Sequence, residues 1–185
     1  MFARTPRLLL RPAWAEDAST LASAIADEMI CRNLSAAPWP YSVRDAEAWI
    51  AEPRDPVLPS LLVFERTSSV PRLVGGCGLT RRPSGAVELE YWVARTDWNR
   101  GIATEAATAV LDMARSLRIR QIEASHYVDS PASARVLEKL GFSSTGLTEI
   151  PTGRAEGRNA AIQLTRARLA DRQVKVERVP QPIAA

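Results

Sequence analysis

The stretch that decides the reading is ELEYWVARTDWNRGIATEA, Glu88 to Ala106. Its first part alternates like a strand, placing Glu88, Glu90 and Trp92 on one face. From Gly101 the period turns helical, with Ile102, Ala106, Val110, Met113 and Leu117 as a stripe that must face a core. A Trp, an Asn, an Arg and a Gly separate the two patterns, with no proline and no long loop. A helix fixed by such a stripe holds its first backbone N–H groups outward, where they and the helix dipole favour phosphate. Gly101 permits close approach of a ligand, Ala103 does not block it, and Arg100 adds a cation. The competing reading is an ordinary connection in which Gly101 only permits the turn.

Working outward, RLLLRP (7–12) reads as a first strand, and Ala18, Leu21, Ala22, Ile25 and Met29 recur at helical spacing. Ser42 is the expected cap of a short helix in SVRDAEAWIAE. SLLVFERT and RLVGGCGLTRR read as strands, the second loosened by Gly75, Gly76 and Gly78. IRQIEASHYV is a further strand and PASARVLEKLGF a short helix, with Ser130 as cap, Pro131 at its first position and Gly141 closing it. SSTGLTEI and RNAAIQLTRARL are the last strands, joined by the loop PTGRAEG. Mixed helices and strand-to-strand steps predict an α/β (α+β) chain with a mixed sheet. The expected organisation is a single domain over 1–170 and a tail over 171–185, mobile or packed on the surface.

The 185 residues are enough for one domain with a real core, and 46% hydrophobic and 24% charged content is ordinary for a soluble protein. No apolar run reaches spanning length and MFARTPRLLLRP lacks a signal-peptide core, so the expected partners exclude membrane and the expected location is the cytoplasm. The net charge of +3 comes from scattered arginines, joined only by Lys139 and Lys175, which does not favour nucleic acid. Cys31 and Cys77 read as buried reduced thiols. With His126 as the only histidine, H-E-x-x-H metal chemistry is impossible and no metal is expected. No phosphate-binding G-x-x-x-x-G-K-[ST] loop and no serine nucleophile elbow occur, and GGCGLTR lacks the third glycine of a dinucleotide fingerprint.

YWVARTDWNRGIATEA resembles the acyl-CoA pyrophosphate loop of the GNAT acetyltransferase superfamily, pattern Q/R-x-x-G-x-G/A. It is most similar to the ribosomal-protein-alanine N-acetyltransferase (RimJ/RimL-type) branch, where Trp commonly opens the loop; Trp98, Gly101 and Ala103 fall on those positions. TPRLLLRPAWAEDA, LVGGCGL and DSPASARVLEKLGF resemble other stretches of that branch in the same order. The chain departs from it at Asn99, where Gly is frequent, and at Ser130, where Asn is usual. The resemblance implies a central sheet of about seven strands splayed between the fourth and fifth, with helices on both faces and acetyl-CoA lying in the opening. Backbone groups of Trp92, Val93 and Ala94 would pair with the pantetheine arm. Asn99, Arg100, Gly101, Ile102, Ala103 and Thr104 would hold the pyrophosphate, and Ser130 and Ser133 would touch the cofactor.

The implied reaction is direct attack of a neutral amine on the thioester, with a backbone N–H near Val93 meeting the developing oxyanion. A carboxylate is the expected proton acceptor, and Glu88 and Glu90 are the candidates, about 7 Å apart along the strand. Glu88 matches a glutamate of many relatives and is expected first; Glu90 stands where they usually have Gly. Leu137 occupies the place of a tyrosine acid found in some relatives, so no general acid is identified. Trp39, Tyr41 and Trp49 cluster where relatives shape the acceptor pocket, and His126 lies on an apolar strand face. The favoured acceptor is a protein N-terminal α-amine. Small amines (an amino sugar, polyamine or amino-acid derivative) and a non-catalytic acyl-CoA-binding module remain as alternatives. Many relatives dimerise, so the resemblance adds a homodimer to the partners.

Overall fold

The computed structural model describes residues 1–34, 37–149 and 161–169. The expected loop over 151–157 and the tail from 171 lie outside the described residues. Eight strands form one sheet in the order β1-β2-β3-β4-β5-β6-β8-β7. They are β1 Ala3–Arg4, β2 Leu8–Arg11, β3 Ser60–Glu65, β4 Arg72–Arg81, β5 Val87–Val93, β6 Gln121–Tyr127, β7 Ser143–Glu149 and β8 Ile162–Arg168. The two-residue β1 is the strand beyond the seven expected, so the expected fourth and fifth strands are β5 and β6.

Every neighbouring pair is antiparallel except β5–β6, which is parallel and registered at the single position Glu88↔Glu123. Beyond that position β5 runs on to Val93 and β6 to Tyr127 without pairing with each other, so the sheet opens toward the C-terminal ends of both strands. This is the splay that the resemblance implied.

Alternation along the strands feeds two cores. Val63 of β3 and Leu8 and Leu10 of β2 pack under α4 (Ile102–Ser116) and α5 (Pro131–Lys139), together with Ile102, Ala106, Val110 and Leu137. Leu62, Phe64 and Leu73 pack on the other face against α1 (Ala18–Ile25), α2 (Glu28–Cys31) and α3 (Val43–Ala51). In β4 the partners of Val63 and Phe64 are Gly75 and Leu73, which leaves Val74 as an extra, bulged residue. The bulge is what lets both Val74 and Cys77 face the α4 core.

The cap of α3 is as expected: Asp45 N–H donates to Ser42 Oγ and Ser42 N–H to the Asp45 carboxylate. α5 starts at Pro131, and Gly141 at φ 84° ends it, with Phe142 N–H returning to Leu137 C=O. The first expected helix needs correction. It breaks after Ile25, because Asp27 accepts from Met29 N–H at 2.8 Å and starts a new helix. Ile30 and Cys31 take the core positions, and Met29 is exposed.

Candidate active site

The opening has a floor of backbone. Ala94 N–H donates to Val74 C=O across the β4–β5 ladder. Since successive strand residues point their polar groups to opposite edges, those of Tyr91 and Val93 face the opening instead. The expectation that the backbone of Trp92 and Ala94 meets a ligand is therefore corrected: Trp92 pairs toward Gly76 of β4 and the Ala94 N–H is spent within the sheet, which leaves Val93 of the expected three. The Val93 carbonyl accepts the Trp98 indole N–H at 2.8 Å, which leaves its N–H as the donor toward the opening.

The loop after β5 makes one short 3-10 turn, Arg95–Asp97, and reaches α4 through two left-handed residues, Asn99 at φ 61° and Gly101 at φ 75°. Asparagine tolerates that region, so Asn99 supplies a conformation that glycine would otherwise provide. No side chain caps α4, and the N–H groups of Ile102, Ala103 and Thr104 lie ahead of its first intrahelical bond, Glu105 N–H to Gly101 C=O. Ile102 is buried, so only its backbone is available to a ligand.

Arg100, expected beside the phosphates, turns its guanidinium to Glu65 and Asp97. Asp97 is 1% exposed and also accepts both Arg72 Nη groups at 2.7 Å, while Arg72 reaches Glu65 at 2.6 Å. The four residues close a ring that ties the loop to β3 and β4. The Arg72 guanidinium is the main reason the Asp97 carboxyl falls to about 2. The cation that does lie beside Gly101 is Arg7, which the sequence reading missed. It donates to the Arg100 carbonyl at 2.9 Å and to Glu105 at 2.7 Å, and its Nη2 would stand 3.5 Å from a Cβ placed on Gly101.

Across the opening, Ser130 Oγ donates to Ser133 Oγ at 3.2 Å rather than capping α5. The Tyr91 hydroxyl donates to Ser133 C=O at 3.2 Å and so joins β5 to α5. Leu137 is 1% exposed and offers no proton. His126 is half-buried, with Nδ1 at 3.0 Å from the Tyr127 carbonyl.

The two glutamates occupy different surroundings. Glu88 is 7% exposed, and its carboxylate accepts Arg82 Nε at 2.6 Å, Arg82 Nη2 at 2.9 Å and Ser125 Oγ at 2.6 Å. Glu90, one step nearer the wide end, reaches solvent. Surrounding protein pushes its carboxyl above the ordinary value, and the Glu88 charge adds to this; Thr80, Arg82 and Arg54 oppose it. Its cross-strand partner is Gly78, which places no side chain directly opposite it; Thr80, further along β4, is the side chain of that strand that reaches its carboxyl. Trp92 on the same face lies over Gly76, where a Cβ would come within 2.3 Å of the indole nitrogen.

A sheet opened at its parallel junction, with an uncapped helix start at the mouth, offers backbone donors of the kind an extended phosphate-bearing ligand requires. Residues 7–143 match the family model described as acetyltransferase (GNAT) domain, and the chain belongs to that family. It is 28% identical over 151 residues to an uncharacterized N-acetyltransferase, p20, of Bacillus licheniformis, covering 77% of this chain and 83% of the relative. Among the solved structures that share the fold are two acetyltransferases. One is the Vibrio cholerae spermidine N-acetyltransferase in complex with CoA and spermine (TM-score 0.69, 18% identity, 89% of this chain, 96% of that one). The other is RimL, a ribosomal L7/L12 alpha-N-protein acetyltransferase (TM-score 0.71, 16% identity, 91% and 94%). The chain is thus an N-acetyltransferase whose acetyl donor is acetyl-CoA. The open N–H groups at α4 and along β5 are donors of the kind its phosphates and amide-bearing arm require. Among the described residues no helix is long and apolar enough to cross a membrane.

Proposed function

We propose that the chain acetylates a protein N-terminal α-amine, as in the RimJ/RimL branch, with Glu90 taking the amine's proton. The observation that carries this reading is the contrast between the carboxylates: Glu90 is accessible with a raised pKa, and Glu88 is held by three donors. Acetyl-CoA supplies the thioester that the amine attacks. The chain supplies donors already oriented along the opening, the N–H groups of Tyr91 and Val93, which need no rearrangement as negative charge develops. One accessible carboxylate matches an α-amine with pKa near ~8 better than a lysine side chain near ~10.4, since the first needs far less deprotonation. Trp98 at the head of the loop further supports the branch. The backbone at 99–104, with Arg7 beside it, would hold the pyrophosphate, and Ser130 and Ser133 at the start of α5 would line the far side.

The test is thiol release from acetyl-CoA with N-terminal peptides beside a panel of small amines. Turnover on peptides is the expected result; turnover on small amines alone moves the acceptor to that class, and binding without turnover on either defeats the enzymatic assignment of the acceptor. Glu90→Gln is expected to lower kcat/KM about 10²-fold at neutral pH and remove the acidic limb of the rate profile. A retained acidic limb refutes Glu90 as the base.

A further inference from the structure

We propose that Glu88 is a positioning residue, the centre of a clamp with Arg82 and Ser125 that sets the width of the opening at its closed end. The proposal rests on the reading of the opening as the acetyl-CoA site. The strands β5 and β6 are in register only at Glu88↔Glu123, and Ser125 stands two residues further along β6 on the same face. Its hydroxyl reaches back to Glu88 at 2.6 Å, so this bond crosses the gap where backbone pairing ceases. Arg82, at the hairpin between β4 and β5, holds the other side of the carboxylate with Nε at 2.6 Å and Nη2 at 2.9 Å. The same guanidinium lies 3.7 Å from Glu149 of β7. One buried carboxylate thereby ties together the hairpin and both strands that border the opening, with β7 held to it through Arg82.

The geometry also favours Glu90 over Glu88, the candidate expected first, as the carboxylate open to an acceptor amine. Both Glu88 oxygens accept from Arg82, and Oε1 also accepts from Ser125. An amine approaching this carboxylate would have to displace those three donors in a site that is 7% exposed. A buried ion pair adds little net stability over apolar packing but fixes one arrangement of the chain, which is what a gap lacking backbone bonds needs. Glu90 lies two residues on, so the clamp also places the proposed base.

The experiment measures CoA affinity by calorimetry and the pH–rate profile for Ser125→Ala, Ser125→Thr, Glu88→Gln and Glu90→Gln, with thermal melts to confirm folding. Ser125 neither titrates nor donates to the proposed acceptor. Its loss is expected to weaken CoA binding about tenfold, the equivalent of one hydrogen bond to a charged group, with the apparent pKa of the rate unchanged. Ser125→Thr keeps the hydroxyl and restores affinity. Glu88→Gln weakens binding and keeps the acidic limb, whereas Glu90→Gln keeps CoA affinity. Wild-type affinity in Ser125→Ala overturns the clamp, and so does loss of the acidic limb in Glu88→Gln with unchanged affinity. If Glu90→Gln retains its acidic limb while Ser125→Ala loses affinity, the base assignment fails and the clamp stands. Should Glu88→Gln fail to fold, the Ser125 pair decides alone.

Discussion

Replacing Asp97 by Asn tests whether the ion ring, and not the loop backbone alone, fixes the phosphate loop. The carboxylate is 1% exposed and accepts two Arg72 bonds of 2.7 Å, one from Thr96 at 3.0 Å and one from Arg100. Asparagine keeps the shape but removes the charge and turns an NH₂ toward one arginine. Lowering the carboxyl from 3.8 to about 2 corresponds to about 2 kcal/mol of native-state stabilisation. Truncation to Ala breaks a buried pair, which costs about 3–5 kcal/mol when the partner stays buried. Arg72 and Arg100 are 46% and 41% exposed and can turn to water, so the loss stays below that range, near the figure from the carboxyl shift. The sign follows from the depressed value. The stabilisation is complete above the ordinary 3.8 and is lost as pH falls through about 2. Urea melts of Asp97→Asn and wild type should therefore differ by about 2 kcal/mol at neutral pH and converge in that acid window. KM for acetyl-CoA should rise with little change in kcat. Equal midpoints at neutral pH, or a difference that does not shrink in acid, would refute the reasoning.

Three further outcomes follow from local geometry. Gly101→Val places a β-branched side chain at φ 75° and should cost about 1–2 kcal/mol with a raised KM for acetyl-CoA, read by melts and initial rates; wild-type values would show that the loop relaxes freely. Gly76→Ala sets a Cβ within 2.3 Å of the Trp92 indole, so the ring must move; a shifted Trp emission and a loss of about 1–3 kcal/mol are expected, and an unchanged spectrum counts against that packing. Cys31 and Cys77 are buried, and desolvation pushes both thiols up, so a thiol reagent should label neither before unfolding; rapid labelling of the native protein would contradict their burial.

Periodicity carried the strands, the helix stripe of Ile102, Ala106 and Val110, and the cap at Ser42, because each is a local pattern of neighbours in sequence. The break at Asp27 escaped it: Met29 extends the apolar spacing of α1, and only the carboxylate's bond to Met29 N–H shows where the helix restarts. The candidate site divides along the same line. Glu88 and Glu90 are two residues apart and indistinguishable by pattern, yet one is clamped and the other open. What separates them is Ser125, 37 residues away, and an arginine in the preceding hairpin. Arg100 was read as the phosphate-side cation from its adjacency to Gly101, but Glu65, 35 residues earlier, draws it off, and Arg7, 98 residues from its partner Glu105, lies beside the loop instead. Ion pairs between strands depend on register, and register here includes a bulge at Val74; the neighbouring Gly75, Gly76 and Gly78 loosen the strand there but do not place it. The residue types of a site can thus be read from a strand–loop–helix junction, while the assignment of roles among them depends on which distant side chains the sheet brings alongside.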